Sequence, residues 1–457
     1  MSRNQLQELE QSNSADVAAQ LMAEEIATAK FPAELRFEKK QAHSEKRNFR
    51  LGVYSGIFYT VGISFISKST IVPSFLSHLT NSNTLLGIVT QFDPMGWFLP
   101  QLFLATFVVH RTRKMPLYNL SVLIRAILFL GVAVITLTNP NPILMLWVFV
   151  FGYATFHLTA GMGGVVFMEL LAKAIPQGKR GRFLGVRLSV SSILTATLGA
   201  ATITALLGIG SFPTNFGYVF LAGAVITIAG LLFMSFMREP RTKHPPQKRS
   251  LSDQFRVSKE LLKSDRRFVQ YAIAKGLFSM WMMGIPFYIL FAHRVLGYTT
   301  AELGIFIATE CFGYLISNLF WSRIADRKST LLVLKLTSYI AILLPVLILG
   351  YIFLPLPRLL FPIIFALSAA VDSGTTIGGF GYLIEISPER ERATYVGTFN
   401  TLMGCFYFLT CIGGIMLDLA GFTALYALVA VIGIGTFYAV RKLEIPKHLV
   451  ALKTPTI

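Results

Sequence analysis

The residues of this chain best placed to do chemistry are ionisable side chains embedded in long apolar stretches. Lys68, Asp93, His157, Glu310 and Asp372 each stand inside such a run, as do Glu169, Arg187, Arg125, Lys275 and Lys335. A charge in hydrocarbon is costly unless it is paired, wetted or neutralised, so each position is a candidate for function by default. A carboxylate at Asp93, Glu310 or Asp372 could hold and release a proton, and an imidazole at His157 exchanges one near neutral pH. Lys68 and Asp93 could pair with each other or flank a vestibule. Glu169 and Arg187 suit a salt bridge or a strut better than solute contact. Arg125 and Lys335 are placed to snorkel, and Lys275 stands near the start of its run. A polar contact that merely specifies helix packing is the competing account of every one of them.

The elements that hold these residues are legible from composition. Of 457 residues, 54% are hydrophobic and only 14% charged, with a mean hydropathy of +0.60. A soluble protein carries about a quarter charged residues, so this chain cannot cover its apolar mass with polar surface. Apolar runs of about 20 residues, each long enough to cross a bilayer as a helix, recur twelve times. They are 51–76, 84–109, 116–136, 143–172, 183–209, 216–237, 269–293, 301–322, 330–353, 359–384, 393–418 and 421–440. The expected fold is an all-α polytopic membrane protein of twelve transmembrane helices. The expected organisation is a cytoplasmic tail over 1–50, a six-helix half over 51–237, a basic cytoplasmic central loop over 238–268, a second six-helix half over 269–441 and a cytoplasmic tail over 442–457.

At a rise of about 1.5 Å per residue, Lys68, Asp93 and Glu310 lie about 12–14 Å below one surface, and His157 and Asp372 near the midplane. The tail has no apolar stretch near Met1, so no cleavable signal peptide is expected; Ser14-Ala15-Asp16 could cap a short helix running to about Lys30. If the N-terminus is inside, 34 of the 41 Lys and Arg fall in cytoplasmic segments and only Arg294 and Arg358 in outer loops. That asymmetry places both termini in the cytoplasm of a cell (plasma or inner) membrane protein. It also explains the net charge of +18 as topology rather than nucleic-acid binding. Cys311, Cys405 and Cys411 sit in apolar runs and form neither a disulfide framework nor a metal spacing.

The halves repeat. Pro176-Gln-Gly-Lys-Arg180-Gly-Arg-Phe-Leu-Gly185 and Pro388-Glu-Arg-Glu-Arg392-Ala-Thr-Tyr-Val-Gly397 share Pro, Arg and Gly at an offset of 212. Gly163-Gly164 matches Gly378-Gly379 at 215, and His157 matches Asp372 at the same 215. After the second and eighth runs, Thr112-Arg113-Lys114 corresponds to Asp326-Arg327-Lys328. With these features, residues 51–441 resemble the major facilitator superfamily. The resemblance implies two parallel halves rocking about a central cavity, a role for Asp326, Arg327 and Arg113 in an inner gate, and a cavity-facing position for the helices that carry His157 and Asp372. The first loop has Thr112 where the family has an acid, so that copy would gate differently or serve only as a positive patch. Drug–proton antiporters of the superfamily carry Gly-Pro in span five; here that stretch, from Thr195 to Gly208, has no proline.

Tyr54, Phe58 and Tyr59, and Met280, Trp281, Met282, Met283, Phe287 and Tyr288 around Pro286, would suit an amphipathic solute, lipid contact or plain packing. Enzyme signatures such as GxxxxGK[ST], HExxH and GxSxG are absent, and the seven His do not cluster, so neither catalysis, metal nor cofactor is expected. The reading is a secondary active transporter of a small organic solute, coupled to protons, working as a monomer by alternating access. Asp93, His157, Glu310, Asp372 and Lys68 would line the solute and proton pathway, and Glu169 and Arg187 would join the gate. An uncoupled facilitator, or a non-transporting membrane assembly factor or sensor, would use the same architecture.

Overall fold

The computed structural model describes residues 32–108, 113–175, 177–239, 251–388 and 391–444. The expected Ser14–Lys30 helix, Arg111 and Thr112, most of the polar stretch before Leu251 and the end of the C-terminal tail lie outside them. The described residues form helices and the segments that connect them, without strands. Nine helical runs among them are long and apolar enough to cross a membrane, one of which, Thr394–Arg441, covers spans eleven and twelve.

Local chemistry sets the ends of several spans. Span four, Pro142–Ala174, starts where the Asn141 side chain accepts from the amides of Ile143 and Leu144, with proline next in line. Asp265 caps span seven in the same way through Arg267 and Phe268, and Ser329 caps span nine, Thr330–Phe353, through Leu332. Span three, Met115–Thr138, begins at a carboxylate of Glu239 that accepts from the amides of Lys114 and Met115. An acid there complements the positive end of the helix.

Two spans are interrupted. Span one runs as Pro32–Ser64, breaks over residues 65–70 and resumes as Ile71–Leu79. The break carries Ser67, Lys68, Ser69 and Thr70, whose hydroxyls compete for backbone partners. Span seven runs as Arg266–Trp281, tightens into a 3-10 turn at Met282–Gly284 and resumes as Pro286–Arg294. Pro286 has no N–H to offer the Met282 carbonyl, which takes the Ile285 amide at 3.1 Å instead. Span five, Gln177–Leu207, contains a π-helical turn at Thr195–Gly199.

Within the first half, span one packs on spans five and six, span four on spans two (Asn83–Val108) and three, and span three on span six (Thr214–Ser235). The second half repeats each pairing six spans later. Seven packs on eleven (Arg392 to about residue 420) and twelve (to Arg441), ten (Ile363–Ile386) on eight (Leu303–Arg327) and nine, and nine on twelve. The halves meet through two against eleven, five against eight, and the far parts of one and seven. The first half is filled by the tilted and edge-to-face rings of Phe75, Phe149, Phe216 and Phe220, the second by the rings of Phe291, Phe361, Phe365 and Tyr426. Large apolar side chains such as Phe151, Ile316 and Val431 remain exposed on the flanks, as contact with lipid requires.

Candidate functional site

The break in span one delivers Lys68 to the interface between the halves. Its Nζ lies 3.0 Å from Asp93 Oδ2 of span two, and Asp93 Oδ1 lies 3.1 Å from His157 Nδ1 of span four. The three form one chain of contacts across spans one, two and four. His157 is 4% exposed, its ring 4.3 Å from that of Tyr153, and its Nε2 is buried with no hydrogen-bond partner. One residue beyond Lys68, Ser69 Oγ donates to Glu310 Oε2 of span eight at 2.8 Å and contacts Ser67 Oγ at 2.7 Å. That bond joins the halves at the centre of the molecule.

In the second half, Asp372 of span ten accepts from the Tyr314 hydroxyl of span eight at 2.7 Å. One residue on, Ser373 donates to Asn318. Spans two and four therefore hold an Asp–His pair, and their counterparts eight and ten a Tyr–Asp pair. His157 and Asp372, matched in the sequence repeat, occupy equivalent helices but find different partners. Asp372 and Glu310 both lie within electrostatic reach of Lys68. Lys275 of span seven donates to the Thr375 carbonyl at 3.2 Å and lies within reach of Asp372. All five residues expected in the solute and proton pathway thus belong to one cluster, beside the interrupted segments.

The far end of the bundle, away from the termini, is closed. Asp418 of span eleven accepts from the Asn83 amide at 3.0 Å, the Asn83 side chain at 2.7 Å, the Thr84 amide at 2.7 Å and the Thr84 hydroxyl at 2.6 Å. An acid of one half thereby caps span two of the other. Arg294 reaches Asn83 Oδ1 at 3.1 Å, and Ser74 Oγ contacts His293 Nε2 at 3.4 Å. At mid-depth Phe98 stacks on Tyr407, with ring centroids 5.4 Å apart. Among the described residues, these contacts between the halves lie at the far end and at mid-depth.

The residues expected at the gate stand towards the end that bears the termini. Arg113, Asp326 and Arg327 are exposed, and among the described residues neither Asp326 nor Arg327 makes an ion pair. The Glu169 side chain lies outside the described residues. Arg187 packs its guanidinium carbon 4.5 Å from the centroid of Phe167. One reading of the sequence changes. Arg125 does not snorkel: it is 3% exposed and turned inward, donating to the carbonyl and hydroxyl of Ser121 at 3.2 Å each. Tyr54 and Phe58 are exposed, each with its ring beside that of Phe233 of span six. Ser69, Tyr314 and Asp418 escaped sequence reasoning. The run Ser67-Lys68-Ser69-Thr70 was a signal for a break, whereas Tyr314 gave none.

A pseudo-symmetric twelve-span bundle, charged at the interface of its halves, defines a multi-pass membrane transporter rather than an enzyme. The sequence matches the Major Facilitator Superfamily over residues 57–368 and 294–455, and the chain belongs to that family. Among solved structures it is similar to a D-xylose–proton symporter, at 14% identity and a TM-score of 0.65 over 88% of this chain and 98% of that one. A POT family transporter in complex with 5-aminolevulinic acid gives 12% identity and 0.65 over 88% and 95%. A nucleoside transporter gives 13% and 0.60 over 88% and 98%. No curated protein matches the sequence. At these identities the likeness is one of fold.

Proposed function

We propose that the protein is a proton-coupled secondary transporter of a small organic solute, acting as a monomer in the cell membrane with both termini cytoplasmic. The observation that carries the reading is the Ser69–Glu310 bond beside the Lys68–Asp93–His157 chain. An ionisable group is tied across the interface that must separate for the site to change sides. Protonating Glu310 weakens its hold on Ser69 and on the Lys68 charge, and so frees the halves to part at the far end. Releasing the proton restores the tie. Asp93 and His157 would set whether Lys68 answers to the first half or to the acids of the second. Proton symport is chemistry that this fold performs in the D-xylose–proton symporter. The orientation rests on the distribution of Lys and Arg.

The test is purified protein in liposomes loaded with a pH-sensitive dye, challenged with sugars, amino acids, nucleosides and organic acids. A solute that moves protons in the native protein and not in Glu310→Gln supports the reading. A solute taken up with no proton movement replaces it with an uncoupled facilitator.

A further inference from the structure

The polar stretch between spans six and seven ends in a helix, Leu251–Ser264, that has no part in the proton-handling cluster. Two anchors fix it to the second half at the end that bears the termini. Asp265, which follows it and caps span seven, accepts from the Tyr395 hydroxyl of span eleven at 2.7 Å. Ser258 Oγ lies 2.8 Å from Thr398 Oγ1 of the same span. Leu261, between these anchors, is buried.

The anchors also set the direction of the helix. Span eleven begins at Arg392, so Thr398 lies deeper along it than Tyr395. From Asp265 back to Ser258 the chain covers about 10 Å of helix but advances only about 4.5 Å along span eleven, at about 1.5 Å per residue. The helix therefore crosses span eleven steeply, and its first part leans back towards the bilayer instead of projecting from it.

Around its axis the side chains sort by chemistry. Phe255 and Leu262 stand two turns apart on one line, 50% and 36% exposed. The anchored line of Ser258 and Leu261 flanks them on one side. On the other side stand Lys259 and Lys263, with Arg256 beyond them, all exposed. Asp253 and Glu260, also exposed, lie almost opposite the apolar line, and Asp253 meets Arg256 at 3.4 Å. Apolar, then basic, then acidic is the order of a helix lying in a membrane interface, with lysine stems along the apolar side and their heads among the headgroups.

At this end of the molecule the apolar line has the bilayer or the first half to meet. Charge decides between them. The first half's loops over 109–115 and 173–183 include Arg113, Lys114, Lys179, Arg180 and Arg182 and contain no acid. A helix edged with lysine would meet like charge there, whereas anionic headgroups offer the opposite sign.

We infer that Leu251–Ser264 is an interfacial helix that binds anionic lipid. Phe255 and Leu262 enter the acyl boundary, Arg256, Lys259 and Lys263 hold headgroup phosphates, and Asp253 and Glu260 face water. Through Asp265 the bound lipid would steady the start of span seven. The inference goes beyond the transport reading and does not depend on it.

The experiment places the full chain, with Cys311, Cys405 and Cys411 changed to serine, in nanodiscs of phosphatidylcholine with or without phosphatidylglycerol. An environment-sensitive fluorophore is attached at Leu262→Cys or, on the opposite side, at Glu260→Cys, and lipid spin-labelled near the headgroup serves as quencher. With phosphatidylglycerol present, the label at 262 should be quenched several-fold more than the label at 260. Lys259→Gln and Lys263→Gln should each lower the ratio of docked to undocked helix by about fivefold, and high salt should act in the same direction. Equal quenching at the two positions, or quenching at 262 indifferent to phosphatidylglycerol and to both lysines, would overturn the inference. Shielding of the label at 262 from iodide without quenching by lipid would overturn it too, and would assign the apolar line to a protein surface. Phe255→Cys reports on the same line if Leu262→Cys fails to fold.

Discussion

Lys68 shows how much of a site residue type reveals and how much it leaves open. A lysine eight residues inside an apolar run demands a partner, and Asp93 was one of few candidates. The choice of Asp93 over Glu310 depends on where the break in span one points the side chain, and no spacing rule contains that. The pair is partly open, with side-chain exposures of 29% and 36%, so its contribution is smaller than that of a dry ion pair. A double-mutant cycle with Lys68→Met and Asp93→Asn, read by thermal unfolding, should give a coupling of about 1–3 kcal/mol. Additive losses would mean that the two merely sit close. Glu310→Gln retains an oxygen for Ser69 and removes the exchangeable charge. It should abolish accumulation driven by a pH gradient yet keep exchange of labelled for unlabelled solute at equal pH. Loss of both activities would make Glu310 a structural residue. Ser69 and Tyr314 were invisible beforehand because hydroxyl side chains are common in helices and acquire meaning only beside a carboxylate.

At the scale of elements, hydrophobic run length located the spans but not their interruptions. Run length counts apolar residues and is blind to whether the backbone stays helical through them. Pro286 gave the stronger hint, since the missing N–H leaves the Met282 carbonyl to a tighter turn. Pro286→Ala should let the Met282–Gly284 turn rejoin the α-helix. We expect a higher melting temperature together with slower solute-driven proton movement, because the half-helices of span seven lose their independence. A variant that is both less stable and fully active would show that the turn serves packing alone. The π turn in span five, placed against span eight, had no proline or glycine pair to announce it and could not be foreseen.

For the whole molecule, the count of six and six and the internal repeat were legible because each depends on long segments rather than on single side chains. The state of the molecule was not, since closure at one end reflects which of two similar packings is lower in energy. Asp418 contributes most visibly to that balance, with four hydrogen bonds to the start of span two. Bonds to a charged group contribute about 1.5–3 kcal/mol each at best. Asp418→Ala should therefore raise the population open at the far end by about tenfold or more. The reading is labelling of Thr70→Cys by a bulky water-soluble maleimide in a chain with Cys311, Cys405 and Cys411 changed to serine. Unchanged labelling would remove Asp418 from the closing contact. Gly414→Val should act in the same direction, because a Cβ at Gly414 would lie 2.3 Å from the Asn83 carbonyl oxygen.

Just past that contact, spans eleven and twelve are joined at Gly421, with φ 75° and ψ −176° and helix on either side of it. The corner has no spare chain. An epitope tag or a protease site inserted at Gly421 would have to unwind a helix to fit, and any side chain there meets the left-handed backbone penalty. The stretch between spans nine and ten, where Leu354 is 58% and Leu359 85% exposed, is non-helical up to Pro357 at the same end of the molecule, although Pro357 and Arg358 are held by Tyr351, Tyr298 and Glu302. For mapping which face of the membrane this end occupies, an antibody handle belongs at 354–360, and the corner at Gly421 is the place where one would silence the protein instead of reporting on it.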